Sequence, residues 1–90
     1  MLVDIIYVKP RKPYFLFLKF EDGLSGLIDF REQVSFEGVF AVLEDWNYFQ
    51  KVKVNPELGT ITWPNQADLD PIVLYELIKN RKSLSNKHEK

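Results

Sequence analysis

Phe15-Leu16-Phe17-Leu18-Lys19-Phe20 alternates in steps of two and runs straight into Glu21-Asp22-Gly23, which leaves the middle of the chain little choice of fold. Side chains two apart on a strand share a face. Leu16, Leu18 and Phe20 therefore form a purely apolar side that must meet a core, while Phe15, Phe17 and Lys19 point the other way. Asp-Gly between two apolar runs is a hairpin signal, and Leu24 to Phe30 reads as the returning strand, with Gly26 placed for a bulge. Val3 to Val8 is β-branched and aromatic, a first strand that Lys9-Pro10 closes. Pro10-Arg11-Lys12-Pro13 then connects it to the second, since two prolines resist pairing.

Past the meander the period changes. Arg31 to Gly38 is irregular, and Phe40, Leu43, Trp46 and Phe49 then recur every three residues, which favours short helical turns with Asp45 as a cap. Lys51 to Val54 alternates as a half-buried strand, Asn55 to Gly59 turns it, and Thr60 to Trp63 pairs back. Pro64 stops that strand because it has no amide to donate. Asp70-Pro71 starts the last helix: the carboxylate caps free amides and proline fits the first helical position. Leu69 and Leu74 are spaced for a hydrophobic staple. Val73, Leu74, Leu77 and Ile78 make its apolar face, and Lys79, Arg81 and Lys82 suit its negative end. The expected class is α+β: an antiparallel three-stranded meander, a short helical segment, a β-hairpin and a C-terminal helix. With 90 residues the chain holds one domain, placed at 1–82, with a polar, disordered tail at 83–90.

Several functions are excluded or disfavoured by composition. No cysteine is present, so disulfides, zinc-thiolate sites and thiol catalysis are all out. Twelve basic residues against thirteen acidic ones leave a net charge of −1, which argues against nucleic acid as a partner. Met1-Leu2-Val3-Asp4 shows no basic segment leading an apolar run, and no stretch approaches the ~20 apolar residues of a membrane helix. The expectation is a cytoplasmic protein without membrane association. His88, the single histidine, lies in the polar tail, so Ser25, Ser35, Ser83 and Ser85 have no positioned base. No catalytic residue, cofactor or metal is assigned.

Phe20-Glu21-Asp22-Gly23, Asp29, Gly38-Val39-Phe40, Leu43-Glu44-Asp45, Phe49-Gln50-Lys51-Val52 and above all Gly59 to Pro71, with Leu74-Tyr75, resemble a small bacterial family, domain-of-unknown-function family 2442. The resemblance covers about residues 2–80. It implies a small α+β domain. Some relatives carry it ahead of a helix-turn-helix DNA-binding domain. Others stand alone, and for these the resemblance implies pairing with another small protein in the manner of toxin–antitoxin or regulatory pairs. Too few residues follow Arg81 for the appended module, so the expectation is that this chain does not bind DNA that way. Relatives often have glycine where this chain has Gln66, so a turn needing positive φ there would be strained.

The residues themselves offer three candidate sites. Asp68 and Asp70 could bind a divalent cation or act as acid and base, with Asp29 joining them in space, although capping already accounts for Asp70. Trp63 and Asn65 could form a ligand platform of flat ring and amide, against a core tryptophan followed by a turn asparagine. Lys9, Arg11 and Lys12, with Lys51 and Lys53, could form a basic patch beside Tyr7 and Tyr14. Phe15, Phe17, Trp46, Tyr48 and Tyr75 are more aromatic surface than so small a core can hide, which a homodimer would cover. The preferred reading is a non-enzymatic interaction or regulatory module acting as a homodimer, with a small protein partner and Trp63, Asn65, Asp68 and Asp29 as the surface to inspect. The alternatives are a small metal-dependent enzyme or ligand binder using Asp68 and Asp70, and a nucleic-acid-binding accessory protein.

Overall fold

In the computed structural model, residues 3–88 are described along the backbone and 3–81 in their side chains. Strands β1 (Ile5–Arg11), β2 (Phe15–Phe20) and β3 (Ser25–Asp29) form an antiparallel sheet in the order β1-β2-β3. Leu16 pairs with Pro10 and Ile28, and Leu18 with Val8 and Gly26. Leu16, Leu18, Phe20 and Ile28 are all fully buried, so the alternation in β2 sets the inner face as the sequence demands. Each such side chain contributes about 1.5–3 kcal/mol of transfer free energy.

Two expectations for the sheet need correction. β1 does not close at Lys9-Pro10 but continues through Pro10 to Arg11. It can do so because it is an edge strand, where a missing amide need not interrupt the ladder. Gly26 is not a bulge either: β2 and β3 pair without interruption through it, and the irregularity lies in β1 between Ile5 and Tyr7. Gly26 is needed for close approach. A Cβ there would lie 2.7 Å from Ile78 Cγ2, so its absence lets the C-terminal helix onto the sheet.

Beyond β3, Asp29 accepts from Arg31 N and opens a 3₁₀ turn at Phe30–Glu32. A 3₁₀ helix (Gly38–Glu44) and α1 (Trp46–Phe49) follow, with Asp45 accepting from Asn47 N at 3.0 Å as the expected cap. β4 (Lys53–Asn55) and β5 (Thr60–Thr62) make the hairpin, and α2 runs from Pro71 to His88. Asp70 accepts from Ile72 N at 2.9 Å, so the predicted helix start forms as read. Leu74 and Ile78 bury the seam of α2, flanked by half-buried Tyr75 and Leu77. Val73, expected on that face, is 51% exposed, because one residue before Leu74 lies a third of a turn away from the seam. The polar stretch 83–90, His88 included, lies in its side chains outside the described residues. Among the described residues no helix is long and apolar enough to cross a membrane.

A polar clamp also holds α2 to the sheet. Tyr75 Oη donates to Asp22 Oδ2 in the β2–β3 turn, and its ring stands edge-on to Phe20 at 5.0 Å. That phenol bond, helped by the Leu24 amide, lowers the Asp22 pKa below its ordinary 3.8, and the same bond raises that of Tyr75 above 10.0. Arg81 adds a bond to Leu27 O at 2.8 Å and an ion pair with Glu32.

Gly26→Ala should cost about 1–3 kcal/mol in denaturant melts, as overpacking does. The cost should shrink in an Ile78→Ala background, where the struck atoms are gone; equal costs in both backgrounds would refute the close-approach role. The clamp has its own pH signature. A lowered carboxyl pKa stabilises above 3.8 and loses that contribution as pH falls through the folded value; a raised phenol pKa stabilises below 10.0 and loses it as pH rises through the folded value. The stability gap between wild type and Tyr75→Phe should therefore be flat from mid-acid to mildly alkaline pH and narrow at both ends, as chemical melts across pH will show.

Candidate functional site

The thirteen-residue segment from Gly59 to Pro71 folds back on itself. Trp63 N donates to Ala67 O at 3.0 Å and Gln66 N to Trp63 O at 2.8 Å, closing a tight turn, and Thr62 bridges antiparallel to Asp68. Thr60 Oγ1 donates to Leu69 O at 2.6 Å, which satisfies a buried hydroxyl and locks the returning arm beside β5. The arm ends at the Asp70 cap, so the motif is a self-paired hook between hairpin and helix.

Three of the four surface candidates are occupied by structure. Trp63 is not a platform: it is 2% exposed, its ring centroid lies 5.5 Å from that of Phe30 and 6.0 Å from that of Phe49, and its Nε1 donates to Phe49 O at 2.8 Å. Asn65 divides its amide between Val39 O, to which Nδ2 donates at 2.9 Å, and Ala67 N, which donates to Oδ1 at 3.1 Å. It ties the hook to the 3₁₀ helix. Asp29 stands across the sheet from Phe15 and receives Arg31 Nε and Nη2 in a bidentate pair, each at 3.0 Å. That guanidinium holds the Asp29 pKa below the usual carboxylate range.

Asp68, the fourth candidate, is exposed and lines an open cleft of about 450 Å³ with Asn55, Glu57, Leu58, Thr62, Gln66 and the buried Trp63. Asn55 Oδ1 is already committed to the amides of Glu57 and Leu58. Among the described residues no three acidic or histidine side chains gather as a metal would require, and no buried side-chain polar atom lacks a partner. The Asp29–Asp68–Asp70 grouping is therefore not assembled. Gln66 has φ +71°, the strained turn position foreseen for a residue standing in place of glycine.

The sheet's outer face presents a different surface. Pairing places Tyr7, Lys19 and Ser25 in one row, Lys9, Phe17 and Leu27 in the next, and Arg11, Phe15 and Asp29 in the third. Tyr7 and Leu27 are 43% and 42% exposed, Lys9, Arg11 and Lys19 are exposed, and Phe15 and Phe17 are half-buried. Tyr7 meets Phe17 edge-on with centroids 6.3 Å apart, Lys19 Nζ lies over Tyr7 at 5.5 Å, and Arg31 lies over Phe15 at 5.9 Å. The foreseen basic patch is divided. Lys9 and Arg11 belong to this face, whereas Lys12 and Lys51 stack on Trp46 and Tyr48 of α1, each at 5.6 Å. Tyr14 is turned to structure, with Oη donating to Glu44 O and its ring packed on Phe36 and Phe49. Trp46, Tyr48 and Tyr75 are half-buried around the core, so the aromatic surplus narrows to the outer face. Leu27 joins Phe15, Phe17 and Lys19 on this surface through strand register, a non-local fact that no single stretch of sequence displays.

Residues 5–80 match the family described as "Protein of unknown function (DUF2442)", and the chain belongs to that family. No curated protein and no solved structure matches it.

Gln66→Gly should raise stability by about 0.5–1 kcal/mol, because relief of a non-glycine left-handed residue, ~1–2 kcal/mol, exceeds the added unfolded-state entropy. Thermal melting of the variant against wild type measures it, and no gain would mean that Gln66 makes compensating contacts.

Proposed function

We propose that this member of the DUF2442 family is a non-enzymatic protein-interaction module, one half of a regulatory pair, and that it engages its partner through the outer face of the three-stranded sheet. The observation that carries this reading is the exposure of Tyr7 and Leu27, with Phe17 between them, on strands whose opposite face is the core. A sheet needs cover on only one side, and contiguous apolar side chains left on the other mark an interaction surface. Such a face is rigid at no extra cost, because Leu16, Leu18 and Ile28 fix the same strands from beneath.

Most of the residues that could do chemistry are engaged otherwise; Asp68 faces a cleft whose other acidic lining residue is Glu57, and among the described residues no third acidic or histidine side chain joins them. Asp29 is held by Arg31, Asp70 by the start of α2, and Asn65 by two backbone groups. An acid–base pair needs a group free to take up and release a proton beside a substrate. This favours binding over catalysis.

With the complex isolated under native conditions, amide hydrogen exchange should slow at outward positions of β1 to β3 relative to the protein alone. A Phe17→Ser/Leu27→Asp variant, which leaves the inner face intact, should melt within a few degrees of wild type and recover no stoichiometric partner. Protection confined to other elements, or full recovery by the variant, would refute the assignment.

A further inference from the structure

We infer that the outer face takes an acidic partner chain, in which carboxylates are interspersed with apolar or aromatic side chains, in preference to a second copy of this protein. The inference rests on the reading of that face as an interface and adds the chemistry of the occupant. Lys9, Arg11 and Lys19 stand exposed among Tyr7, Phe17 and Leu27, and the one carboxylate in the array, Asp29, is neutralised by Arg31. Among the described residues no carboxylate pairs with these three cations, which are thus gathered on one surface of a chain whose net charge is −1. The strand register concentrates them; the composition does not.

Each competing occupant meets a physical obstacle. A symmetric pairing of two copies would set Lys9, Arg11 and Lys19 against the same cations, and facing like charges suppress association. Strand addition along the β1 edge is blunted by Pro10, which lacks an amide, and by the flanking cations. Nucleic acid would need free ring faces on which to stack bases, but Lys19 already lies over Tyr7, Arg31 over Phe15, and Phe17 meets Tyr7 edge-on. Carboxylates need only the ammonium and guanidinium groups, and an accompanying apolar side chain gains contact with Leu27 and the ring edges.

The test is a titration of the full chain, followed by amide NMR, with three probes: a random glutamate–tyrosine copolymer, polyglutamate and oligothymidylate. The copolymer should shift the outward positions of β1 to β3, bind more tightly than polyglutamate, and weaken with salt. Lys9→Glu/Lys19→Glu should reduce its affinity by about tenfold or more, since both charges are reversed at the contact. Should that variant fold poorly, Lys9→Gln/Lys19→Gln removes charge without adding any, and it should also lose affinity; undiminished binding would overturn the inference. Tighter binding of oligothymidylate to the same positions would overturn it in favour of nucleic acid. Dimerisation in sedimentation that Phe17→Lys abolishes would overturn the acidic partner while leaving the face as an interface. A face silent to all three probes, in a protein monomeric at every concentration, would remove both readings.

Discussion

The Trp63 indole is the joint on which the three parts of this domain meet. Its ring lies against Phe30, where the meander ends, and against Phe49, where α1 ends, and its Nε1 donates to the Phe49 carbonyl. Phe49 O also accepts from Val52 N at 3.3 Å, so the indole N–H is a second and shorter bond to the carbonyl at the end of α1. An aromatic side chain buries a large area and an indole must find an acceptor when it does so. One residue therefore supplies both apolar contact and polar satisfaction at the centre of the core. The hook from Thr60 to Leu69 keeps it there, with Asn65 fastened to Val39 O and Thr60 to Leu69 O.

That joint also explains why the most distinctive sequence segment is not where the open surface lies. Trp-Pro-Asn followed by alternating acidic residues has the residue types of a binding site, yet its requirements are those of a compact connection. Trp63 fills the core, Asn65 closes the turn and reaches the 3₁₀ helix, Asp70 begins α2, and Gln66 takes the left-handed position. Asp68 is left facing a cleft, and among the described residues no bond of its side chain accounts for it. The surface proposed for a partner lies instead on the far side of the sheet, among Tyr7, Phe17 and Leu27.

Opposite faces of one strand thus divide the labour. Leu16 and Leu18 anchor β2 to the core, while Phe15, Phe17 and Lys19 share the outer side with residues brought by β1 and β3. Gly26 works at the same boundary: it is on the inner face and bare, so Ile78 can approach and α2 can cover that side alone. The Tyr75–Asp22 clamp and the Arg81–Leu27 bond hold the helix near its start and at its middle.

Local pattern was enough for much of this. The two-residue alternation of β2, the Asp22-Gly23 turn and the Asp45 and Asp70 caps were legible because each depends on residues a few places apart, where backbone geometry and side-chain chemistry act directly; the left-handed turn at Gln66 was implied only by the resemblance to relatives with glycine there. The extent of β1 through Pro10, the packing role of Gly26 and the exposure of Val73 were not, because each depends on what another element places beside them. Residue pattern was sufficient for an α+β domain of meander, helical turns, hairpin and helix, with one face of β2 in the core. It took the folded packing to make Trp63 and Asn65 internal ties, to give Asp29 to Arg31 and not to Asp68, and to bring Lys9, Lys19 and Leu27 onto one surface. Strand register and packing bring together residues far apart in the chain, and a carboxylate, an amide or an aromatic ring acquires its role from the neighbours it is given.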